Sequence, residues 1–172
     1  MKSTMRRWTV RESVSAALSV CVVYHLLAAT CSRACSLHLE GDVRQRKLFS
    51  FQKFFLRIGT DGKVNGTKSE DDPFSVLEIT SVDVGIVAIR GLGSNLYLAI
   101  SKKGRLYGAR NYGLNCHLKE RIEENGYNTY ASAHWRKRKR QMFVALSPHG
   151  RPQRGRRNRR KNTSTHFLPI AL

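Results

Sequence analysis

One short pattern occurs three times in this chain, and it limits the fold more than any other feature. It reads aromatic, aliphatic, any residue, aliphatic, then a turn, Gly and a basic residue. Phe55-Leu56-Arg57-Ile58 leads through Asp61-Gly62 to Lys63. Tyr97-Leu98-Ala99-Ile100 leads through Gly104 to Arg105, and Phe143-Val144-Ala145-Leu146 leads through Gly150 to Arg151. Gly suits the turn because a tight hairpin needs a residue with positive φ. The glycines lie 42 and then 46 residues apart. Three units of that length fill the chain beyond its first 40 residues. Short β-rich runs at 47–51, 54–58, 76–80, 86–90, 96–100, 106–109, 118–123, 128–133, 142–146 and 165–170 complete the pattern, with no amphipathic helix among them. Threefold repetition of a hairpin predicts an all-β trefoil with pseudo-threefold symmetry: six strands close a barrel and three hairpins cap one end. The aromatic and aliphatic positions are expected to face the shared core.

The N-terminus reads differently. Lys2, Arg6, Arg7 and Arg11 precede an apolar stretch over residues 14–29, and small residues follow at Ala28, Ala29, Ser32 and Ala34. That order predicts a secretory signal peptide over residues 1–34, cleaved between residues 29 and 34. The alternative is an uncleaved anchor, for which the run is short against the ~20 residues a span needs. A leader implies a secreted, extracellular domain over residues 38–170. It also implies no nucleic-acid partner and no membrane insertion after leader removal.

Secretion changes how cysteine is read. Cys21, Cys31 and Cys35 lie in or near the leader, and Cys116 alone falls inside the domain. A disulfide-stapled domain would carry several. Cys116 is expected as a buried thiol, and stability as a matter of packing. No Cys/His pair has zinc-ligand spacing. His38, His117, His134, His149 and His166 are scattered, and no nucleophile motif or phosphate-cradling loop accompanies them. The reading is a non-enzyme with no catalytic residue, metal or cofactor.

The charge is what remains to explain. The chain has 31 Lys+Arg against 12 Asp+Glu, a net charge of +19. The excess is concentrated late, since no acid follows Glu124. Trp135 precedes the run Arg136-Lys137-Arg138-Lys139-Arg140, and Arg151, Arg154, Arg156, Arg157, Arg159, Arg160 and Lys161 come after the next strand. Guanidinium forks suit sulfate and carboxylate. Trefoil closure predicts that residues 150–162 form a compact basic loop for a sulfated polyanion. The 136–140 run either extends that site or forms an exposed turn.

Several strings resemble the fibroblast growth factors: Leu39-Glu40-Gly41-Asp42-Val43-Arg44, Lys47-Leu48-Phe49-Ser50-Phe51, Phe54-Phe55-Leu56-Arg57-Ile58, His166-Phe167-Leu168-Pro169 and, most specifically, Glu123-Glu124-Asn125-Gly126-Tyr127-Asn128-Thr129-Tyr130. They resemble the subgroup of keratinocyte growth factor and fibroblast growth factors 10 and 22. Leu39-Glu40-Gly41 and Trp135-Arg136 lean toward number 22. Gln45 departs from the Trp of the subgroup. The resemblance implies a β-trefoil that activates fibroblast growth factor receptor tyrosine kinases through their ectodomains, with heparan sulfate as co-receptor. It places heparin contacts at Arg151, Arg154, Arg156, Arg157, Arg159, Arg160, Lys161 and Thr163. It places receptor contacts at Phe49, Glu123, Asn128, Tyr130, Leu168 and Ile170, with Asp42 and Arg44 helping to choose the epithelial (IIIb) receptor form.

Two sequons occur, at Asn65 and Asn162. Asn65, just past a turn, is expected to be accessible and glycosylated, whereas a glycan on Asn162 would obstruct the basic loop. Two other classes compete. A secreted trefoil lectin or protease inhibitor would repeat its sugar-site residues in each unit, and these do not repeat. A nucleic-acid binder would set stacking aromatics among its arginines, and these are missing.

Overall fold

Each repeat makes the same reversal for the same reason. In the computed structural model, which describes residues 41–172, Gly62, Gly104 and Gly150 sit at φ of 75°, 76° and 71°. Their N–H groups donate to Gly59, Ser101 and Ser147 carbonyls at 3.0, 2.7 and 2.9 Å. The signal peptide expected over residues 1–34 lies outside the described residues.

The described strands are β1 (Val43–Ser50), β2 (Phe55–Ile58), β3 (Val64–Thr67), β4 (Leu77–Asp83), β5 (Ile86–Gly91), β6 (Leu96–Ile100), β7 (Leu106–Ala109), β8 (Leu118–Ile122), β9 (Asn128–Lys137), β10 (Arg140–Phe143) and β11 (Phe167–Ala171). All pairings are antiparallel, in the order β3-β2-β1-β11-β9-β8-β5-β6-β7, with β4 joining β1 to β5 and β10 on β9. Among the described residues the helical segments are single 3-10 turns.

Three hydrogen bonds show the symmetry directly. Gly108 N–H donates to the Gly62 carbonyl at 2.9 Å, Gly155 to Gly104 at 2.8 Å, and Gly66 to Gly150 at 2.7 Å. Each turn glycine thus accepts from the next repeat, and the three bonds close a ring. The fold is a β-trefoil, as the repeat predicted.

The core sits where the aliphatic positions of the repeat converge. Leu56, Ile58, Leu98, Ile100, Val144 and Leu146 are all buried. The aromatic positions do not join them on the same face. A strand alternates sides, so the residue before Leu56, Leu98 or Val144 points the other way. Phe55 and Phe143 are still covered, but Tyr97 is half-buried and packs on Tyr112, ring centroids 5.4 Å apart. The expectation that both classes face one core is corrected for that reason.

Strand bounds depart from expectation in several places; β3 was not among the expected runs, β4 runs on to Asp83, and β10 starts at Arg140 and stops at Phe143. β1 starts four residues before residue 47, because Val43–Arg46 pairs with β4 before the strand passes to β11. β9 runs on to Lys137, and Arg138-Lys139 form a two-residue turn with φ of 48° and 67° before β10. The 136–140 run is therefore a hairpin tip. The third repeat loses its return strand, leaving a lone bridge from Leu146 to Pro152. Pro152 has no N–H for a ladder, and the chain leaves the sheet to form the basic loop.

Candidate functional site

The basic loop keeps its shape through backbone capture. Gln153 N–H donates to the Ala145 carbonyl at 2.9 Å, and Leu146 N–H to Ser164 at 3.0 Å. Two short polar side chains are buried beneath it. Asn158 Nδ2 donates to the Arg154 carbonyl at 3.3 Å, and Thr165 Oγ1 donates to Asn162 at 2.7 Å. These satisfy carbonyls that a loop would otherwise leave unpaired. The charged side chains point outward: Arg151, Arg154, Arg156, Arg157, Arg159 and Lys161 are exposed, as is Thr163. Arg160 differs. It is half-buried, with Nε 3.6 Å from Glu123 Oε2.

The loop does not present one continuous row. Arg154 and Arg156 enter a recess of about 570 Å³ at the threefold end, shared with Lys103, Arg105 and Asp61. Arg151 and Arg154 line a second recess, about 460 Å³, with Lys63, Asn65 and Arg105. Arg160 and Lys161 lie with Glu123, Glu124 and His166 in another. Lys103 was not singled out from the sequence, and Arg105 was read only as part of the repeat, not as a site residue. The signal for Arg105 was there, in the basic position that follows the repeat's turn.

A second constellation gathers around Glu120, also missed. Arg44 Nη2 lies 3.0 Å from Glu120 Oε2, and Arg44 Nε lies 3.3 Å from Asp42 Oδ2. Glu120 Oε1 accepts from Asn128 Nδ2 and from the Tyr130 hydroxyl, each at 3.0 Å. Glu120 faces Tyr130 in the β8–β9 register. Four expected receptor residues, Asp42, Arg44, Asn128 and Tyr130, therefore meet through one carboxylate. Burial opposes the Arg44 charge, but the hydrogen bond and charge of Glu120 outweigh it and raise its pKa. Burial, then the Glu120 charge, pushes the Tyr130 phenol far above its usual range.

Tyr130 itself is 0% exposed. Its expected role as an aromatic anchor presented to a partner is corrected: the ring is core, 6.4 Å from Phe167. Asn128 is buried as well and speaks to the surface only through Glu120. Glu123 is separate from this network. It accepts from Thr129 Oγ1 at 2.7 Å and pairs with Arg160, so it joins the basic loop instead.

The apolar residues hold a third position. Phe49 faces Leu168, and Lys47 faces Ile170, across β1 and β11. Leu48 and Phe167 take the inward positions, so Phe49 and Leu168 turn outward. Phe49 leans on Phe55 at 4.8 Å. Ile122, opposite Asn128 and 72% exposed, adds apolar surface that the sequence reading passed over. Gln45 is exposed, pairs with Glu78 in the β1–β4 ladder, and its carbonyl accepts from Arg46 Nη1 at 2.8 Å. Asn65 lies within β3, half-buried in the second recess, and is less open than its place after a turn suggested.

Cys116 is buried, as expected, and burial raises its pKa. Among the described residues no helix is long and apolar enough to cross a membrane.

These positions belong to a known pattern. The fibroblast growth factor family profile matches residues 44–168. The chain is 62% identical to mouse fibroblast growth factor 10 over 135 residues, 78% of this chain and 65% of that protein. It is 55% identical to mouse fibroblast growth factor 22, covering 83% of that protein, and 46% identical to human fibroblast growth factor 7, covering 68%. The chain spans just under two thirds of the length of fibroblast growth factor 10. The subgroup is supported, while the lean toward number 22 is corrected by the higher identity to number 10. Family profile, identities and threefold ring agree: this chain belongs to the fibroblast growth factor family.

Proposed function

We propose that the chain is a secreted growth factor that binds fibroblast growth factor receptor ectodomains, in their epithelial (IIIb) forms, with heparan sulfate as co-receptor. The observation that carries this is the separation of two surfaces on one rigid trefoil. One follows β1 and its neighbours: the Asp42–Arg44–Glu120 network at the start of the strand, and outward Phe49, Leu168 and Ile170 toward its end. The other is an exposed basic loop fixed by its backbone. The first offers apolar area and, farther along β1, an oriented charge pair, the composition of a specific protein interface. The second offers clustered arginines that release counterions on meeting a sulfated chain.

The roles divide accordingly. Arg44 and Asp42 orient a partner beside the network, and Glu120 holds Arg44 in place. Arg151, Arg154, Arg156, Arg157, Arg159 and Lys161 meet the polysaccharide, with Thr163 beside them. Arg160 positions the loop against Glu123. The signal peptide over residues 1–34 directs secretion.

The test is a panel of cell lines, each expressing a single receptor form and carrying heparan sulfate. Receptor phosphorylation in IIIb lines, with weak or no response in IIIc lines, supports the reading. A response in no line, from protein shown to be folded, overturns it. An equal response in both lines removes the epithelial specificity alone.

A further inference from the structure

Lys103 and Arg105 stand far from the basic loop in sequence, yet the second hairpin carries them to the same end of the barrel as Arg154 and Arg156. Lys63, from the first hairpin, lines the adjoining recess with Arg151 and Arg154. All three repeats therefore deliver cations to one place.

We propose that this threefold end is a second anion subsite, which takes the sulfate and carboxylate groups of a polysaccharide chain continuing beyond the 151–161 loop. The proposal rests on the polyanion reading above and extends it to residues outside the linear run.

Three observations carry it. The charges are uncompensated: Asp61 is the acid among the described residues lining these recesses, and its Oδ2 lies 2.9 Å from Lys63 Nζ. The Lys63 hydrogen bond lowers the Asp61 pKa, so the carboxylate that faces Lys63 is ionised. Lys103, Arg105, Arg151, Arg154 and Arg156 form no ion pair among the described residues. Gathering like charges in a recess does nothing for folding, and it favours an anionic occupant. Part of the floor is also bare. Gly62 and Gly108 line part of it, with Ser101 and Tyr107 beside them, and the Gly108–Gly62 hydrogen bond runs beneath, so a sugar ring can approach the backbone there within reach of the arginine forks. Finally, the two recesses are continuous in their lining, since Gly62, Arg105 and Arg154 belong to both. A linear polyanion can pass from one to the other. A glycan on Asn65 would fill the second recess, so occupancy of that sequon and of the subsite exclude each other.

The experiment compares four proteins purified from the medium: wild type, Lys103→Ala/Arg105→Ala, the charge control Arg90→Ala/Arg110→Ala, and Arg157→Ala/Arg159→Ala/Lys161→Ala. Affinity for heparin is measured across a series of sodium chloride concentrations and against heparin fragments of increasing length. Each lost contact makes the log–log salt slope shallower by about one. The recess pair is expected to flatten it by about two and the control pair by less than one. The recess pair should also lose the gain in affinity that longer fragments give the wild type. Unfolding temperatures report that each variant is folded. If the recess pair matches the control while the loop triple weakens, the subsite is wrong and the polyanion reading stands. If the loop triple also binds like wild type, the polyanion reading itself fails.

Discussion

Glu120 holds together residues that sequence comparison picks out singly. It pairs with Arg44 and accepts from both Asn128 and Tyr130. Removing it strands a half-buried guanidinium and two buried donors. Glu120→Ala is expected to cost about 2 kcal/mol in urea unfolding and to weaken receptor binding. Tyr130→Phe should cost about 1 kcal/mol, since one hydrogen bond to a charged group is lost. Tyr130→Ala should cost ~3–5 kcal/mol, because a buried aromatic leaves a cavity. A signalling defect in Tyr130→Ala thus reports folding first. The sequence named Tyr130 through its motif but could not show which way it faces, because that depends on where β9 passes the core. Cys116 shows the reverse case: lack of a partner inside the domain already implied a buried thiol. Burial raises its pKa, so the folded thiol stays protonated where an unfolded one ionises. Stability then falls as pH rises through the ordinary thiol range. Cys116 should react slowly with a thiol reagent in the native state and quickly in urea, as the reaction rate will show.

Among elements, the turns were the most legible part. A turn glycine is forced by local geometry, so it needs no knowledge of the rest of the fold. Gly150 and Gly126 separate the two costs of replacing one. Both have positive φ, 71° and 79°. A Cβ on Gly150 would meet Phe54 Cδ1 at 2.9 Å, whereas one on Gly126 meets nothing within 4 Å. Gly126→Ala is expected to cost about 1 kcal/mol from backbone strain alone, and Gly150→Ala roughly twice that or more as Phe54 shifts; thermal unfolding distinguishes them. The β9–β10 tip was less legible. Arg138 and Lys139 both take positive φ without being Gly or Asn, so nothing in their type announces a two-residue turn. The double change Arg138→Asn/Lys139→Gly supplies the favoured pair and should stabilise by about 1 kcal/mol in the same assay. β1 was legible only in part, because Val43-Arg44-Gln45-Arg46 shows no apolar alternation and forms a strand through pairing with β4.

At the scale of the whole molecule, composition announces a strong positive charge but not how the fold distributes it. The run from Arg151 to Lys161 reads as one cluster along the chain. The fold sends Arg151, Arg154 and Arg156 to the threefold end, and Arg160 to Glu123. Only the ring of glycine bonds between repeats brings Lys103 and Arg105 beside them, and that closure is a tertiary fact. Receptor and polysaccharide are proposed to meet separate surfaces of one trefoil. This separation is tested most directly by receptor phosphorylation in heparan-sulfate-deficient cells that express one IIIb receptor, with added heparin as the variable. The account predicts that wild type signals only when heparin is supplied. It predicts that Arg154→Ala/Arg157→Ala/Lys161→Ala needs more heparin to reach the same maximum, with an unchanged unfolding temperature. A triple variant that matches wild type at every heparin concentration, or one whose maximum collapses while its fold persists, would contradict it.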